Sequence, residues 1–140
     1  MADVAASANA SAEPIYVPRA RAYLVPYPKD ALTRAVDSYE PDIFDGMRLG
    51  VLALSQRCTH LDCKVPWCAS SQWFECPCHG AQFNRVGEKK GGPAYSGLES
   101  FPVTLRKGQI VINTGRRRRG TPLGTNTTGQ EAEGPHCVHE

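Results

Sequence analysis

Two short motifs in this chain combine cysteine with histidine. The first is Cys58-Thr59-His60-Leu61-Asp62-Cys63, and the second is Cys76-Pro77-Cys78-His79-Gly80. Thiolates and imidazoles are common metal ligands, and paired cysteines also form disulfides. This concentration of both residue types therefore predicts a metal site, a disulfide framework or both.

Three kinds of site are compatible with the motifs. Zinc takes two cysteines and two histidines, but its motifs usually pair like ligands at short spacing, whereas each motif here mixes the two types. A disulfide framework without metal leaves the histidine in each motif unexplained. A 2Fe-2S cluster of mixed ligation uses both types, because one iron takes two thiolates and the other takes two imidazoles. The cluster is favoured because it gives both histidines a role.

Together the two motifs resemble those of the Rieske iron–sulfur proteins. In the first motif Asp62 stands where glycine is usual in that family. The similarity continues through Val65-Pro66-Trp67, Gly91-Gly92-Pro93-Ala94 and Phe101-Pro102-Val103. It covers approximately residues 47–115.

The resemblance implies a fold, a cofactor and the residues that bind it. The fold would be all-β, a Rieske-type antiparallel β-sandwich with a small cluster-binding subdomain formed by two loops. The first cysteine and the histidine of each motif would bind one 2Fe-2S cluster, which gives the ligand set Cys58, His60, Cys76 and His79. The second cysteines, Cys63 and Cys78, would form a disulfide between the two loops.

The resemblance also bears on the redox potential and on quinol. High-potential members of the family follow the second motif with a serine and, two positions later, a tyrosine, whose hydroxyls donate hydrogen bonds to cluster sulfur atoms. This chain has Ala81 and Phe83 at those places. We therefore expect a lower potential, suited to menaquinol. The quinol-facing residues implied by the resemblance are His60, Leu61, His79 and Pro93.

A cysteine pair in the two motifs is typical of Rieske subunits in quinol-oxidising cytochrome bc/bf-type complexes of respiratory chains. The implied partners are a cytochrome b-type subunit, a c-type cytochrome and quinol. The chain alone would be an electron carrier, and the complex would be the quinol–cytochrome c oxidoreductase. The head would lie on the extracytoplasmic face of a bacterial membrane, where disulfides persist, with an anchor before residue 1. Alternatives are a soluble Rieske ferredoxin feeding an oxygenase and a small subunit of an arsenite-oxidase-like enzyme.

The bulk properties add few constraints. A formal net charge of +2 gives no global signal for nucleic acid, and no nucleic-acid partner is expected. The local exception is the run Arg116 to Arg119, which is most simply a solvated turn. A zinc module that binds nucleic acid through this run is a more distant alternative. No stretch approaches the roughly 20 apolar residues of a membrane helix.

Composition and pattern divide the chain into four parts. We predict a disordered lead at 1–13, an N-terminal extension with a short helix at 14–46, the cluster domain at 47–115 and a C-terminal tail at 116–140. The Gly-, Thr- and Glu-rich tail has the composition of a disordered segment. However, it contains Cys137, and a disulfide from Cys137 to Cys68 would pin the tail to the cluster domain. Sequence alone leaves that pairing open.

Local patterns predict the elements that carry the motifs. Tyr23 to Val25 reads as an edge strand among prolines, and residues 30–39 as a short helix that Pro41 ends. Residues 47–55 and 72–76 read as strands that lead into the two motifs. Residues 101–113 read as a hairpin.

Overall fold

The structure is a computed structural model that describes residues 2–4, 13–58 and 63–138. Antiparallel β-sheets dominate this part of the chain, which confirms the expected all-β class. The strands are β1 (Ala2–Val4), β2 (Ile15–Val17), β3 (Ala22–Pro26), β4 (Val51–Ser55), β5 (Trp67–Cys68), β6 (Trp73–Glu75), β7 (Gln82–Phe83), β8 (Lys89–Gly91), β9 (Ser100–Phe101), β10 (Val103–Arg106) and β11 (Gln109–Ile112). Within the described residues they form sheets of order β2-β3-β4-β9, β1-β11-β10 and β5-β6-β7-β8.

Strands β3 and β4 are buried along their full length because they separate two hydrophobic cores. Successive side chains of a strand point to opposite faces. Leu52 and Leu54 of β4 therefore enter one core, while Val51 and Ala53 enter the other. Strand β3 lies between β2 and β4, so the predicted edge position of Tyr23–Val25 is wrong.

The hairpin β10–β11 confirms the prediction for residues 101–113. Its turn residues Lys107 and Gly108 both have positive φ, 49° and 78°, as the tightest hairpin turns require. On its other side β11 pairs with β1, with Ala2 opposite Ile112. The predicted disordered lead is therefore wrong at Ala2–Val4, because a strand edge offers backbone hydrogen bonds whatever the side chains are. Residues 5–12 lie outside the described residues.

The helical segments differ in extent from the prediction. A 3-10 turn (Lys29–Ala31) runs into α1 (Leu32–Ala35), and a second helix, α2, spans Pro41–Arg48. Pro41 thus begins a helix, because the first helical turn does not need its N–H groups bonded within the helix. Helix α2 crosses the predicted boundary at residue 46, and β4 begins at 51 instead of 47. None of the helices among the described residues is both long and apolar enough to cross a membrane.

The tail contains no helix and no strand of the three sheets in its described part, yet it is tied to the domain along its length. Arg118 forms an isolated bridge with Ser100 and donates two hydrogen bonds to Asp42, of 3.0 and 2.7 Å. Thr121 accepts a backbone hydrogen bond from Gly97. Composition predicted disorder for this segment, but these long-range contacts fix its path.

Candidate metal centre

The first motif lies in a loop that continues strand β4. Its base is closed by three antiparallel contacts: Val65 N donates to Gln56 O at 2.7 Å, Cys58 N donates to Cys63 O at 2.7 Å, and Arg57 bridges Lys64. These contacts place Cys58 at the start of the loop with only 2% of its surface exposed. His60 and Leu61 lie outside the described residues, so their predicted roles remain predictions.

The second motif lies in a loop between β6 and β7. Cys76 N donates to Ala81 O at 2.8 Å, and Gly80 N donates back to Cys76 O at 3.1 Å. Gly80 has φ +82°, which an L side chain rarely adopts, so the loop can turn tightly there. Cys76 is 1% exposed, whereas His79 at the loop tip is exposed.

A disulfide joins the two loops. Cys63 and Cys78 are bonded, with their Cα atoms 6.6 Å apart, as the resemblance implies. The Cys76 sulfur lies within 4.8 Å of both sulfurs of this bridge. The disulfide therefore holds the two motifs side by side at one end of the molecule.

The remaining donors suit a cluster of mixed ligation. Cys58 and Cys76 take part in neither disulfide, and both thiols are buried. In the second loop the Cys76 sulfur is buried and the His79 imidazole is exposed. This arrangement fits a metal group that is shielded from water on its thiolate side and accessible from outside on its histidine side. The chemistry of this donor set therefore fits the 2Fe-2S cluster.

Aromatic packing supports the first loop from below. Phe74 of β6 is fully buried, with its ring centroid 4.8 Å from that of Tyr23 and 5.0 Å from that of Trp67. The Tyr23 hydroxyl donates to Val65 O at 2.9 Å. Burial, with a smaller contribution from nearby Tyr16, raises the pKa of Tyr23. The phenol therefore stays protonated and keeps donating to the loop.

The segment after β8 lies directly against the second loop. A Cβ built on Gly92 would be 2.5 Å from both Ala81 Cα and Gly80 O, so only glycine fits there. This contact places exposed Pro93 beside the loop, and Ala94 is buried in the first core. Ala81 and Phe83 are fully buried in the same core.

Glu75 is a site residue that sequence reasoning missed. It directly precedes Cys76, and its carboxylate is buried. It accepts hydrogen bonds from four donors, which are Ser71 Oγ (2.5 Å), His136 Nδ1 (2.9 Å), Cys137 N (2.7 Å) and Val138 N (3.0 Å). Burial alone would raise the pKa of Glu75, but these hydrogen bonds outweigh it and leave the pKa below its usual value. The only sequence signal was an acid within an otherwise apolar strand.

A second disulfide ties the tail to this region. Cys68 of β5 is bonded to Cys137, with Cα atoms 5.9 Å apart. The sequence left this pairing open, and the structure brings the two cysteines together. Both sulfurs lie within 4.8 Å of a carboxylate oxygen of Glu75.

Comparison with known proteins gives a consistent family. The model for the Rieske 2Fe-2S domain matches residues 24–102. The chloroplastic cytochrome b6-f complex iron-sulfur subunit of Bigelowiella natans is 42% identical over 69 residues, which are 49% of this chain and 27% of that protein. The cytochrome b6-f complex iron-sulfur subunit of Synechococcus elongatus is 37% identical over 65 residues, 46% of this chain and 36% of that protein. The matched part thus spans about a quarter to a third of the length of these relatives.

Among solved structures, the plasma membrane Rieske protein PetC3 from Synechocystis PCC 6803 is similar to this chain. The TM-score is 0.48 at 24% sequence identity, over 71% of this chain and 83% of that one.

Proposed function

Because this chain belongs to the Rieske 2Fe-2S domain family, we propose that it carries single electrons from quinol to a c-type cytochrome within a membrane cytochrome bc-type complex. The observation that carries this proposal is the pair of buried thiols, Cys58 and Cys76, at the starts of two loops that a disulfide joins. The family model and the cytochrome b6-f subunits among the relatives support it.

The proposed ligands are the two thiolates of Cys58 and Cys76 and the two imidazoles of His60 and His79. When bound, the cluster accepts and releases one electron, at roughly −150 to +300 mV because two neutral imidazoles replace two thiolates. The protein keeps both thiolates in the apolar core and holds His79 at the surface. That arrangement shields the sulfur side from water and leaves the histidine side open to a partner.

The exposed face of the second loop suits contact with quinol. The His79 imidazole can accept a hydrogen bond from a quinol hydroxyl and take up its proton. Exposed Pro93, held against this loop through Gly92, would form part of the apolar contact. His60 and Leu61 are proposed to complete the quinol-facing surface.

The Cys63–Cys78 bridge favours the quinol-oxidising class over a soluble ferredoxin, because the soluble ferredoxins and oxygenase domains of the Rieske family usually lack this cysteine pair. The proposed partners are a cytochrome b-type subunit and a c-type cytochrome. The proposed location is the extracytoplasmic face of a bacterial membrane, because two disulfides persist in an oxidising compartment.

We further propose menaquinol as the donor, because Ala81 and Phe83 lack hydroxyls that could donate hydrogen bonds to the cluster. Both side chains are fully buried. Ala81→Ser and Phe83→Tyr each add one hydroxyl with almost no other change, so each is expected to raise the midpoint potential. Protein-film voltammetry measures the shift. A potential unchanged in both variants would show that neither position is near the cluster sulfur atoms.

Low-temperature EPR of the dithionite-reduced protein tests the ligand set, followed by a redox titration at several pH values. Two imidazole ligands give a rhombic signal with a mean g value below that of all-cysteine ferredoxins, and a potential that falls with pH in the alkaline range. A low midpoint supports menaquinol as donor, and a high one supports ubiquinol. A colourless, EPR-silent protein containing zinc would overturn the proposal.

A further inference from the structure

The last described residues of the tail pack against the sheet that carries the second ligand loop. We call residues 130–138 the clamp segment. Gln130 Nε2 donates to Gln72 O at 3.0 Å, Glu133 N donates to Ser71 O at 2.9 Å, and Ser70 Oγ donates to Pro135 O at 2.6 Å. The clamp segment therefore follows the turn that connects β5 to β6.

The clamp segment supplies three of the four donors to the buried Glu75 carboxylate. The backbone N–H groups of Cys137 and Val138 bond one carboxylate oxygen, and His136 bonds the other. The His136 ring also packs 5.2 Å from the ring of Trp73. Without the clamp segment only Ser71 of these four would still bond the Glu75 carboxylate, and a carboxylate short of donors is costly to keep buried.

Glu75 connects the clamp segment to the proposed ligand Cys76 through one peptide bond. Glu75 N donates to Pro66 O, and Cys76 N donates to Ala81 O, so these two residues begin the second loop. If the Glu75 carboxylate lost its buried donors it would move toward water, and Cys76 would move with it.

The Cys68–Cys137 bridge closes the clamp segment covalently. Cys68 is 2% exposed, but Cys137 is exposed at the outer end. A dithiol reductant can attack the Cys137 sulfur, which expels Cys68 as a thiolate and forms a mixed disulfide. The second thiol of the reductant then releases Cys137 and leaves an oxidised cyclic disulfide. Two electrons pass from the dithiol to the bridge, and the two protons of the dithiol end on the Cys68 and Cys137 thiols.

We propose that the clamp segment is a thiol-reversible latch in which Glu75 acts as a positioning residue for the second ligand loop. With the Cys68–Cys137 bridge closed, the clamp segment holds Glu75 and thereby Cys76. With the bridge reduced, the clamp segment opens and the loop loosens. The effect on the cluster rests on the proposed ligand role of Cys76, whereas opening of the clamp segment does not.

Hydrogen–deuterium exchange of the full chain tests the latch, with Cys137→Ser as the variant and Leu123→Ala, an exposed tail residue, as matched control. Exchange in 133–138 is expected to rise roughly tenfold in Cys137→Ser, with a smaller rise in 76–81, because local opening then lacks its covalent closure. Native protein treated with dithiothreitol and a chelator should match it at 133–138. In Cys137→Ser only the Cys63–Cys78 bridge is left for dithiothreitol to reduce. Dithiothreitol should therefore cause no further rise in exchange at 133–138 in that variant, which attributes the rise in native protein to the Cys68–Cys137 bridge.

Two variants of Glu75 test the positioning role. Glu75→Ala removes every acceptor and should speed exchange in 76–81 and broaden the EPR signal of the reduced cluster. Glu75→Gln keeps one carbonyl oxygen for the two backbone donors and should restore both readouts toward native values. Equal changes in exchange and in the EPR signal in both variants would show that the carboxylate's acceptor oxygens are not what positions the loop, and would overturn the positioning role of Glu75.

The outcomes separate the latch from the cluster assignment. Unchanged exchange at 133–138 in Cys137→Ser overturns the latch, whatever the cluster does. Faster exchange at 133–138 in Cys137→Ser with unchanged exchange at 76–81 overturns the coupling to the loop. Exchange that rises in both segments of a protein without a Rieske EPR signal supports the latch while the proposed function fails.

Discussion

The two ligand loops and the C-terminal tail reach a fixed structure by different routes. Each loop is closed at its base by backbone hydrogen bonds between residues close in sequence, and one disulfide with a sequence separation of 15 joins the loops. The described part of the tail has no such ladder. It is held by isolated backbone and side-chain hydrogen bonds to residues far away in sequence, and by a disulfide with a separation of 69. Local pairing thus builds the metal centre, and long-range polar contacts build its support.

Two buried carboxylates show how closely these regions depend on each other. Both Glu75 and Glu88 lie inside the family-matched region and have nearly no exposed surface. Glu88 accepts from Asn84 Nδ2 at 2.8 Å, and from the N and Oγ1 atoms of Thr127 at 2.9 and 2.6 Å. The matched region alone would leave both carboxylates short of donors. The tail is therefore part of the folded domain.

The largest expected effect is on the loops, through Cys76→Ser. A hydroxyl is a poor iron ligand in place of a thiolate, so the visible absorption and EPR signal of the cluster should be lost completely. Cooperative thermal unfolding should persist, because two hydrophobic cores remain. Cys137→Ser makes the same chemical change in the tail and should still yield coloured protein. Loss of cooperative unfolding in Cys76→Ser would mean that the cluster, and not the loops' own bonding, holds the fold.

Removing the tail disulfide in Cys68→Ala/Cys137→Ala should have the next largest effect. A closed loop of this length stabilises by about 4 kcal/mol in the chain-entropy model, against about 3 kcal/mol for the shorter Cys63–Cys78 loop. Guanidinium unfolding without reductant measures the loss. A loss well below ~1 kcal/mol would indicate that residual structure already restricts the unfolded chain without the bridge.

Thr127→Val should remove about 2 kcal/mol of stability, because it leaves buried polar groups unsatisfied. The Tyr27 hydroxyl donates to Thr127 Oγ1 at 2.7 Å and would lose its acceptor, while Glu88 would lose a donor. Burial raises the pKa of Tyr27 to about 12, so the phenol cannot relieve this by ionising at neutral pH.

The neighbouring Thr128 provides a matched control for this substitution. Its buried hydroxyl oxygen has no hydrogen-bond partner within the described part of the chain. Thr128→Val should therefore be neutral or slightly stabilising when urea unfolding of both variants is compared with that of the native protein. Equal losses in both variants would show that threonine packing, and not the Glu88 network, sets the cost.

The smallest expected effect concerns pH and the tie between Asp42 and Arg118. The hydrogen bonds from Arg118 hold the pKa of Asp42 below its usual 3.8. Stability from a lowered carboxyl pKa is present above the unfolded-state value and is lost as pH falls through the folded-state value. Asp42→Asn should therefore flatten the acid side of the stability curve, measured by thermal melts between pH 2 and pH 5. Exposed Asp45→Asn is the control, and equal flattening in both variants would contradict the assignment.

The sequence indicated the chemistry of the site more fully than its surroundings. The two Cys/His motifs stand out because metal ligands need particular residue types at short spacing, and the resemblance to the Rieske family singles out Cys58 and Cys76 within them. The hairpin at 101–113 follows from alternation around Lys107-Gly108. Pro41 was harder to interpret, because proline both stops a helix before it and can start one after it. Whether Pro41 ends one helix or begins the next depends on whether a helix after it can pack against the sheet. Gly46 allows α2 to pack, because the missing side chain lets the helix approach Val103 closely.

The sequence therefore indicated the class of cofactor, the candidate thiolates and the all-β character, since the two motifs and their resemblance to the Rieske family depend only on residue identity and local spacing. Tertiary structure alone decided the interior place of β3, the pairing of β1 with β11, the Cys68–Cys137 bridge and the role of Glu75. Each of these joins residues far apart in the chain. A carboxylate or a cysteine has no local pattern that names its distant partner, so only the packed fold reveals which one it meets.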